Sequence, residues 1–288
     1  MSFDAFLAQA WNDHGDRPRE VADRLASSLD VIAATENIPA FAHLATHVFG
    51  EHLGEWSRGV ELLTSLRRLP AYDRAKSARS VDRGIAILRY SGGAGDALDA
   101  LALEDRVSAL ATASGAFTGR GRFDRAIDAF TQALELGGAG LPAESPATRS
   151  LAVGGNSLAA ALEGKKDRDP IETAAMVTAA EAGLTFWKQA GTWLEEERAE
   201  YRLARSLLQA GNAATARRSA ERCLEICQRN DAPAFERFFA YAVLAFAQRA
   251  SGDLDAFEAA RREALQLFEQ LPPDERQWCE SDLKELGS

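Results

Sequence analysis

Three observations predict an all-α chain organised as a solenoid of paired helices. Ala, Leu, Arg and Glu dominate the 288 residues, and strand-type runs of Val, Ile, Thr and Tyr are missing. Apolar residues recur at helical spacing almost end to end, broken by short Gly or Pro punctuation. The breaker glycines Gly54, Gly95, Gly121, Gly164, Gly211 and Gly252 lie 41, 26, 43, 47 and 41 residues apart, so four of five intervals are near the length of one helix pair. A pair of amphipathic helices cannot bury its apolar face alone, so such pairs stack. The 26-residue interval marks a degenerate unit or a different register over residues 72–105.

Each element can be justified in chain order. Residues 2–14 and 18–36 read as two leading helices, the second opened by Arg17-Pro18. A helix runs from Pro39 to about His52, Gly54 breaks it, and the next carries Trp56, Val60, Leu63 and Leu66 up to Pro70. Residues 72–91 form a helix ended by Ser91-Gly-Gly-Ala-Gly95, and Asp96 has the chemistry of an N-cap for the next element. A small-residue helix over 103–118 stops at Gly119-Arg-Gly121, after which Phe123, Ala126, Ile127, Phe130, Ala133 and Leu134 give a 3.6-residue stripe. Residues 137–146 read as a loop, and helices are expected over 147–163, 171–190, 192–210, 213–229, 233–251 and 254–271. Pro272-Pro273-Asp274 starts a final helix. The organisation is therefore leading helices over 1–36, repeats over 37–271 and a capping helix over 272–288.

With 46% hydrophobic and 26% charged residues, the composition is that of a globular chain. A balance of 33 Lys+Arg against 43 Asp+Glu, net −10, argues against wholesale binding of nucleic acid or anionic membrane. The three cysteines, Cys223, Cys227 and Cys279, make no disulfide framework. The N-terminus has no Lys or Arg before Arg17, which is poor for a signal peptide, and no run approaches the roughly 18 apolar residues of a membrane span. A cytoplasmic location is expected.

Residues 121–133 carry a family pattern: Gly121, Phe123, Ala126, Phe130 and Ala133 place glycine and an aromatic at the turn, then small and aromatic residues on the second helix. Gly211, Ala216, Ala220 and Cys223 match it more loosely. Gly54, Trp56 and Pro70 keep part of it, with Gly59 where Ala is expected, and after Gly252 and Leu254 comes Phe257, off pattern, with Ala264 back on schedule. Over roughly 37–271 the chain resembles the tetratricopeptide repeat (TPR) family, with a spacing longer than the usual 34 residues. HEAT-like helix pairs are the other architecture of similar period. The resemblance implies a right-handed superhelix of about five pairs, whose concave groove grips peptides or helices.

Catalytic motifs are missing. Ser91-Gly-Gly-Ala-Gly95 and Gly164-Lys-Lys lack the phosphate-loop spacing, and no G-x-S-x-G turn occurs. His43 and His47 stand at i, i+4, the spacing at which two imidazoles share a metal. Leu44 occupies the place where a zincin has Glu, however, and no third ligand is evident. On a regular α-helix His52 falls on the opposite side, with Phe41, Leu44 and Val48. Solvated or packing histidines are the plainer reading, so no metal, cofactor or catalytic residue is assigned. Cys223 and Cys227, also i, i+4, read as buried small hydrophobes.

The most suggestive constellation is a stripe on the helix 192–210. Arg198, Arg202, Arg205 and Gln209 fall within about 60° of one another on a helical wheel, flanked by Tyr201. The TPR register implies that 198, 201, 205, 208 and 209 face the groove, although Glu200 then sits where the family has a large apolar residue. Matching Leu158-Ala159 to Leu203-Ala204 brings Asn156 to the same groove one unit earlier, and Phe239 and Phe246 offer apolar contact from the next. Arginine forks bind carboxylates bidentately. Against this, an arginine stripe is usually a solvated face, and Glu195 is placed to pair with Arg198. Residues 57–90 hold eight basic against three acidic side chains, a net +5. That segment reads as solvated surface or as a face for an acidic partner.

The resulting expectation is a non-catalytic adaptor or scaffold. Its groove binds a protein or peptide with an acidic or C-terminal carboxylate motif through Arg198, Tyr201, Arg202, Arg205, Gln209, Asn156 and Phe239. The alternatives are a regulatory sensor of a ligand or peptide, and a metal-dependent enzyme built on His43 and His47.

Overall fold

The computed structural model describes residues 1–138, 140–142 and 144–287. Ala139 and Ala143 of the expected 137–146 loop, and Ser288 of the expected cap, lie outside the described residues. Among the described residues there are fourteen α-helices and no strand. They fall into two compact units, Met1–Ser150 and Leu151–Ser288.

The first unit contains α1 (Phe3–Asp13), α2 (Pro18–Ser27), α3 (Asn37–His47), α4 (Trp56–Ser65), α5 (Arg74–Ser91), α6 (Leu103–Gly119) and α7 (Phe123–Gly138). Its core joins Phe6 and Ala10 of α1 and Val21 and Leu25 of α2 to Phe41, Leu44, Val48 and Phe49, with Leu63, Val81 and Leu88 from α4 and α5. α8 (Pro146–Gly164) begins just before the boundary. The second unit continues with α9 (Pro170–Ala190), α10 (Trp193–Gln209), α11 (Ala213–Arg229), α12 (Ala234–Ala250), α13 (Leu254–Gln270) and α14 (Pro273–Gly287). Its core is centred on Phe238, Val243, Phe246, Cys223, Cys227 and Leu267.

Helix pairs α3/α4, α6/α7, α8/α9, α10/α11 and α12/α13 account for the expected repeats, and α5 is the odd helix that produces the short glycine interval. Three pairs close with the same turn. Gly121, Gly211 and Gly252 hold φ of +68°, +77° and +79°, the left-handed region that side chains rarely adopt. In each case the next residue's N–H returns to a carbonyl in the last turn of the helix, Arg122 to Phe117, Asn212 to Leu207 and Asp253 to Gln248, at 2.9, 2.9 and 3.0 Å. This αL ending satisfies carbonyls that the helix end would leave unpaired. The α8/α9 turn solves the same problem with a side chain, since Arg168 donates to the carbonyls of Leu162, Glu163 and Lys165.

Three expectations are corrected. The 18–36 helix stops at Ser27, followed by a 3-10 turn over Leu29–Val31, because Ser28 leaves helical geometry at φ −122°, ψ 41°. Asp96 caps no helix; residues 94–101 are linked turns anchored by buried Leu98, and α6 starts at Leu103. Gly59 is glycine because α4 lies too close for more: a Cβ there would come within 2.7 Å of Leu88 Cδ1 and 2.8 Å of Phe49 Cβ.

The third correction concerns His52. α3 does not continue as an α-helix past His47 but widens into a π-turn over Val48–Leu53. In an i→i+5 turn, residues five apart return to one side, whereas α-helical residues five apart stand about 140° apart. His52 consequently meets His47, Nε2 to Nε2 at 3.1 Å, instead of pointing away from it.

Candidate functional site

α10 is fixed at its start by a capping box. Thr192 accepts the Leu194 N–H, and Glu195 accepts from both the backbone and the hydroxyl of Thr192. Glu195 thus serves the cap, and Arg198 turns to another helix. Leu203, Ala204 and Leu207 are buried behind α10, while Arg198, Tyr201, Arg202, Arg205 and Gln209 line a groove in front of it. The groove encloses about 590 Å³ and also takes in Asn156 from α8 and Phe239 from α12. All seven residues expected at the site are therefore brought together.

The arginines do not wait there as bare cations. Arg198 makes a fork to both carboxylate oxygens of Glu236 on α12. Arg202 meets Glu163 on α8, which also accepts from Ser206 at 2.6 Å. Arg205 reaches Glu285 on α14 at 2.8 Å and lies 4.9 Å from the centre of the Phe246 ring. The Tyr201 hydroxyl donates to Asp282, also on α14, at 2.6 Å. Gln209 accepts from Arg168. The acidic edge of α14 is thereby seated against the arginine face, 80 residues from it in sequence.

Burial shapes the titration of the groove. Glu197 is 1% exposed, and its carboxyl is pushed from the ordinary 4.5 to about 7. Loss of hydration is the main cause, aided by the neighbouring Glu236 and opposed by the Cys223 thiol, which donates to it at 3.0 Å. Burial likewise raises Asp282 and Tyr201. For Arg205 burial works downward, but facing Tyr201, Asp282 and Glu285 more than offset it and raise its pKa. Glu200, which sits where a large apolar residue is expected, is buried all the same: Lys188 of α9 meets it at 3.2 Å.

Sequence reasoning missed Glu163, Glu236, Trp278 and Asp282, which also line the groove. The only signal available was the surplus of acids on the same helices, which names no partner. Trp278 of α14 is 70% exposed and lines the same groove as Phe235 and Phe239. In the basic segment 57–90, Arg58, Arg67, Arg79 and Arg83 are paired with Asp23, Asp82, Asp105 and Asp105 respectively. Cys223, Cys227 and Cys279 are buried free thiols, as expected for the first two.

No protein-family model and no curated protein matches this chain. Solved structures do. The chain aligns with the nearly identical TPR-like repeats of a Podosopora anserina protein assigned as a kinesin light chain, at TM-score 0.52 and 16% identity, covering 82% of this chain and 96% of that one. The fold is that of TPR-like repeat proteins. A single-residue variant of the same repeats aligns at TM-score 0.49 and 19% identity over 80% and 90% of the two chains. BtubC (BKLC) from P. vanneervenii aligns at 0.48 and 16% identity over 82% and 91%. Among the described residues no helix is long and apolar enough to cross a membrane.

Proposed function

We propose that the second unit is a non-catalytic interaction module whose groove before α10 binds an acidic segment of a partner protein. TPR-like repeats are protein-binding folds, which sets the class. The observation that carries the finer reading is the seating of α14: Tyr201 and Arg205 already hold two carboxylates, Asp282 and Glu285, presented by a helix. The face therefore accepts an acidic helical edge, and the unfilled part of the groove offers the same chemistry beside it. Arg198 is half-exposed there, and Phe235, Phe239 and Trp278 form an apolar ledge for one large side chain.

Because Arg198 carries Glu236, an incoming carboxylate exchanges with an internal one. Affinity then rests on the aromatic ledge, and charge sets register and association rate. The test compares wild type with Arg198→Glu and Trp278→Ser, both at exposed positions, in capture from cell extract at low and moderate salt. Peptides from any captured protein are then titrated by fluorescence anisotropy. An acidic peptide bound by wild type and weakened at least tenfold by both folded variants supports the reading. Equal binding by all three removes the groove from consideration.

A further inference from the structure

The first unit places three histidines in one cluster, with no role in the proposed groove. His14 closes α1, His47 ends α3, and His52 lies in the π-turn. One ring nitrogen from each lies within 4.8 Å of the other two. The ring centroids of His14 stand 5.0 Å from those of His47 and His52, and the latter two are 4.7 Å apart and nearly perpendicular. We propose that His14, His47 and His52 form a binding site for a divalent late first-row transition ion of the zinc type, held by three neutral imidazoles.

Four observations carry this. First, two of the three rings are engaged at their outer nitrogen as they are around bound metals. His14 Nδ1 is hydrogen-bonded to the Trp11 carbonyl and His47 Nδ1 to the Glu51 carboxylate at 3.0 Å. Such partners fix the tautomer and orient the remaining nitrogen, here Nε2, toward the ion. Second, the 3.1 Å edge between His47 and His52 is close to the about 3.4 Å that separates two ligands of a tetrahedral ion with bonds near 2.05 Å. The ring nitrogen of His14 lies within 4.8 Å of both, and a bound ion would draw that edge in.

Third, the frame is built tightly. α6 packs so close that a Cβ on Gly119 would lie 2.6 Å from the Glu51 carbonyl oxygen, and one on Gly115 would lie 3.4 Å from its carboxylate. Arg120 donates to the His52 carbonyl at 3.0 Å, and Asp13, beside His14, is held by Arg17 and by Arg24 at 2.7 Å. Fourth, a π-turn is a rare interruption that is frequent at functional sites, and here it is what brings His52 to His47. Trp11 walls the cluster, its ring 5.0 Å from His14 and 5.4 Å from His47. A cavity of about 400 Å³ adjoins His52. Imidazole donors without thiolate suit zinc, nickel, copper or cobalt rather than magnesium or calcium. His43 lies on the far flank, 5.5 Å from the Trp11 ring, and is not among the three.

The test uses the full chain without a histidine tag, stripped with chelator and dialysed. Zn²⁺ is titrated calorimetrically and counted by elemental analysis, and Co²⁺ is followed by its visible absorption. We expect one Zn²⁺ per chain, an intense tetrahedral Co²⁺ spectrum and a higher Tm with Zn²⁺. His14→Gln and His52→Gln each weaken binding more than about 100-fold, and Glu51→Gln, one shell out, weakens it about 10- to 100-fold. His43→Gln leaves it unchanged. Circular dichroism of the metal-free variants establishes that they fold, and His14→Asn replaces His14→Gln if that variant does not. Absence of a stoichiometric ion overturns the proposal, as does binding that survives both His14→Gln and His52→Gln or is lost with His43→Gln.

Discussion

Glu197 makes folding stability depend on pH in a direction opposite to that of a surface carboxylate. Its carboxyl titrates near 4.5 when the chain is unfolded and at about 7 when buried. The native state therefore binds its proton more tightly. The stability tied to this residue is fully present below about pH 4.5 and is lost as pH rises through 7. A displacement of about 2.5 units corresponds to roughly 3 kcal/mol by pH 8. Glu197→Gln keeps the shape, retains an acceptor for the Cys223 thiol, and presents an amide N–H toward Glu236, so it carries no such penalty. Urea denaturation followed by circular dichroism at pH 5, 6, 7 and 8 isolates the effect as the difference between the two proteins, because Glu200 and Asp282, raised in the same sense, are common to both. The difference should grow in favour of the variant between pH 5 and 7, then level at about 1 to 3 kcal/mol. A difference independent of pH, or a variant less stable at pH 8, refutes the reasoning.

Close contacts and buried groups elsewhere give further expected outcomes. A Cβ on Gly155 of α8 would come within 2.5 Å of the Ala179 carbonyl oxygen and 2.8 Å of the Gly183 nitrogen, both backbone, so Gly155→Ala should cost about 2–3 kcal/mol in chemical denaturation. Arg205→Ala removes the ion pair with Glu285 and the stacking on Phe246; a loss of about 1–3 kcal/mol is expected, with faster hydrogen exchange across α14 and faster proteolysis near Leu271. Burial raises the Cys223 thiol well above its ordinary value and Cys279 to about 11. Ellman's reagent at pH 7.5 should therefore find no reactive thiol in the native chain and three after denaturation.

The helices were legible because they obey local rules. Apolar residues recur at the helical period, and glycines in the left-handed conformation mark three of the turns, whereas the one cap read from the sequence, Asp96, starts no helix. The front of α10 was legible for the same reason, since a wheel places Arg198, Arg202 and Arg205 on one face whatever surrounds them. What fills that face was not legible. Glu236, Glu163 and Glu285 lie 38, 39 and 80 residues from the arginines they meet, and nothing in a local pattern selects them among so many acids. His52 was misplaced because the wheel assumes 100° per residue, and the π-turn departs from it with no proline or other marker to show where. His14 could not be named at all: its proximity to α3 depends on how α1 packs.

The widened turn between α3 and Gly54 separates two kinds of constraint on this stretch of chain. The backbone before it is phased so that Phe41, Leu44 and Val48 enter the core, and the backbone after it ends at a glycine with φ +66° whose successor, Glu55, returns its N–H to Phe49. One surplus residue reconciles the two phases. Removing a single residue from 48–53 takes away the surplus that the wider turn absorbs, so its i→i+5 closure is lost. Side-chain exchanges such as Leu53→Met, by contrast, leave the phase alone. An exchange at Leu53 should accordingly be tolerated far better than the loss of a residue from this segment.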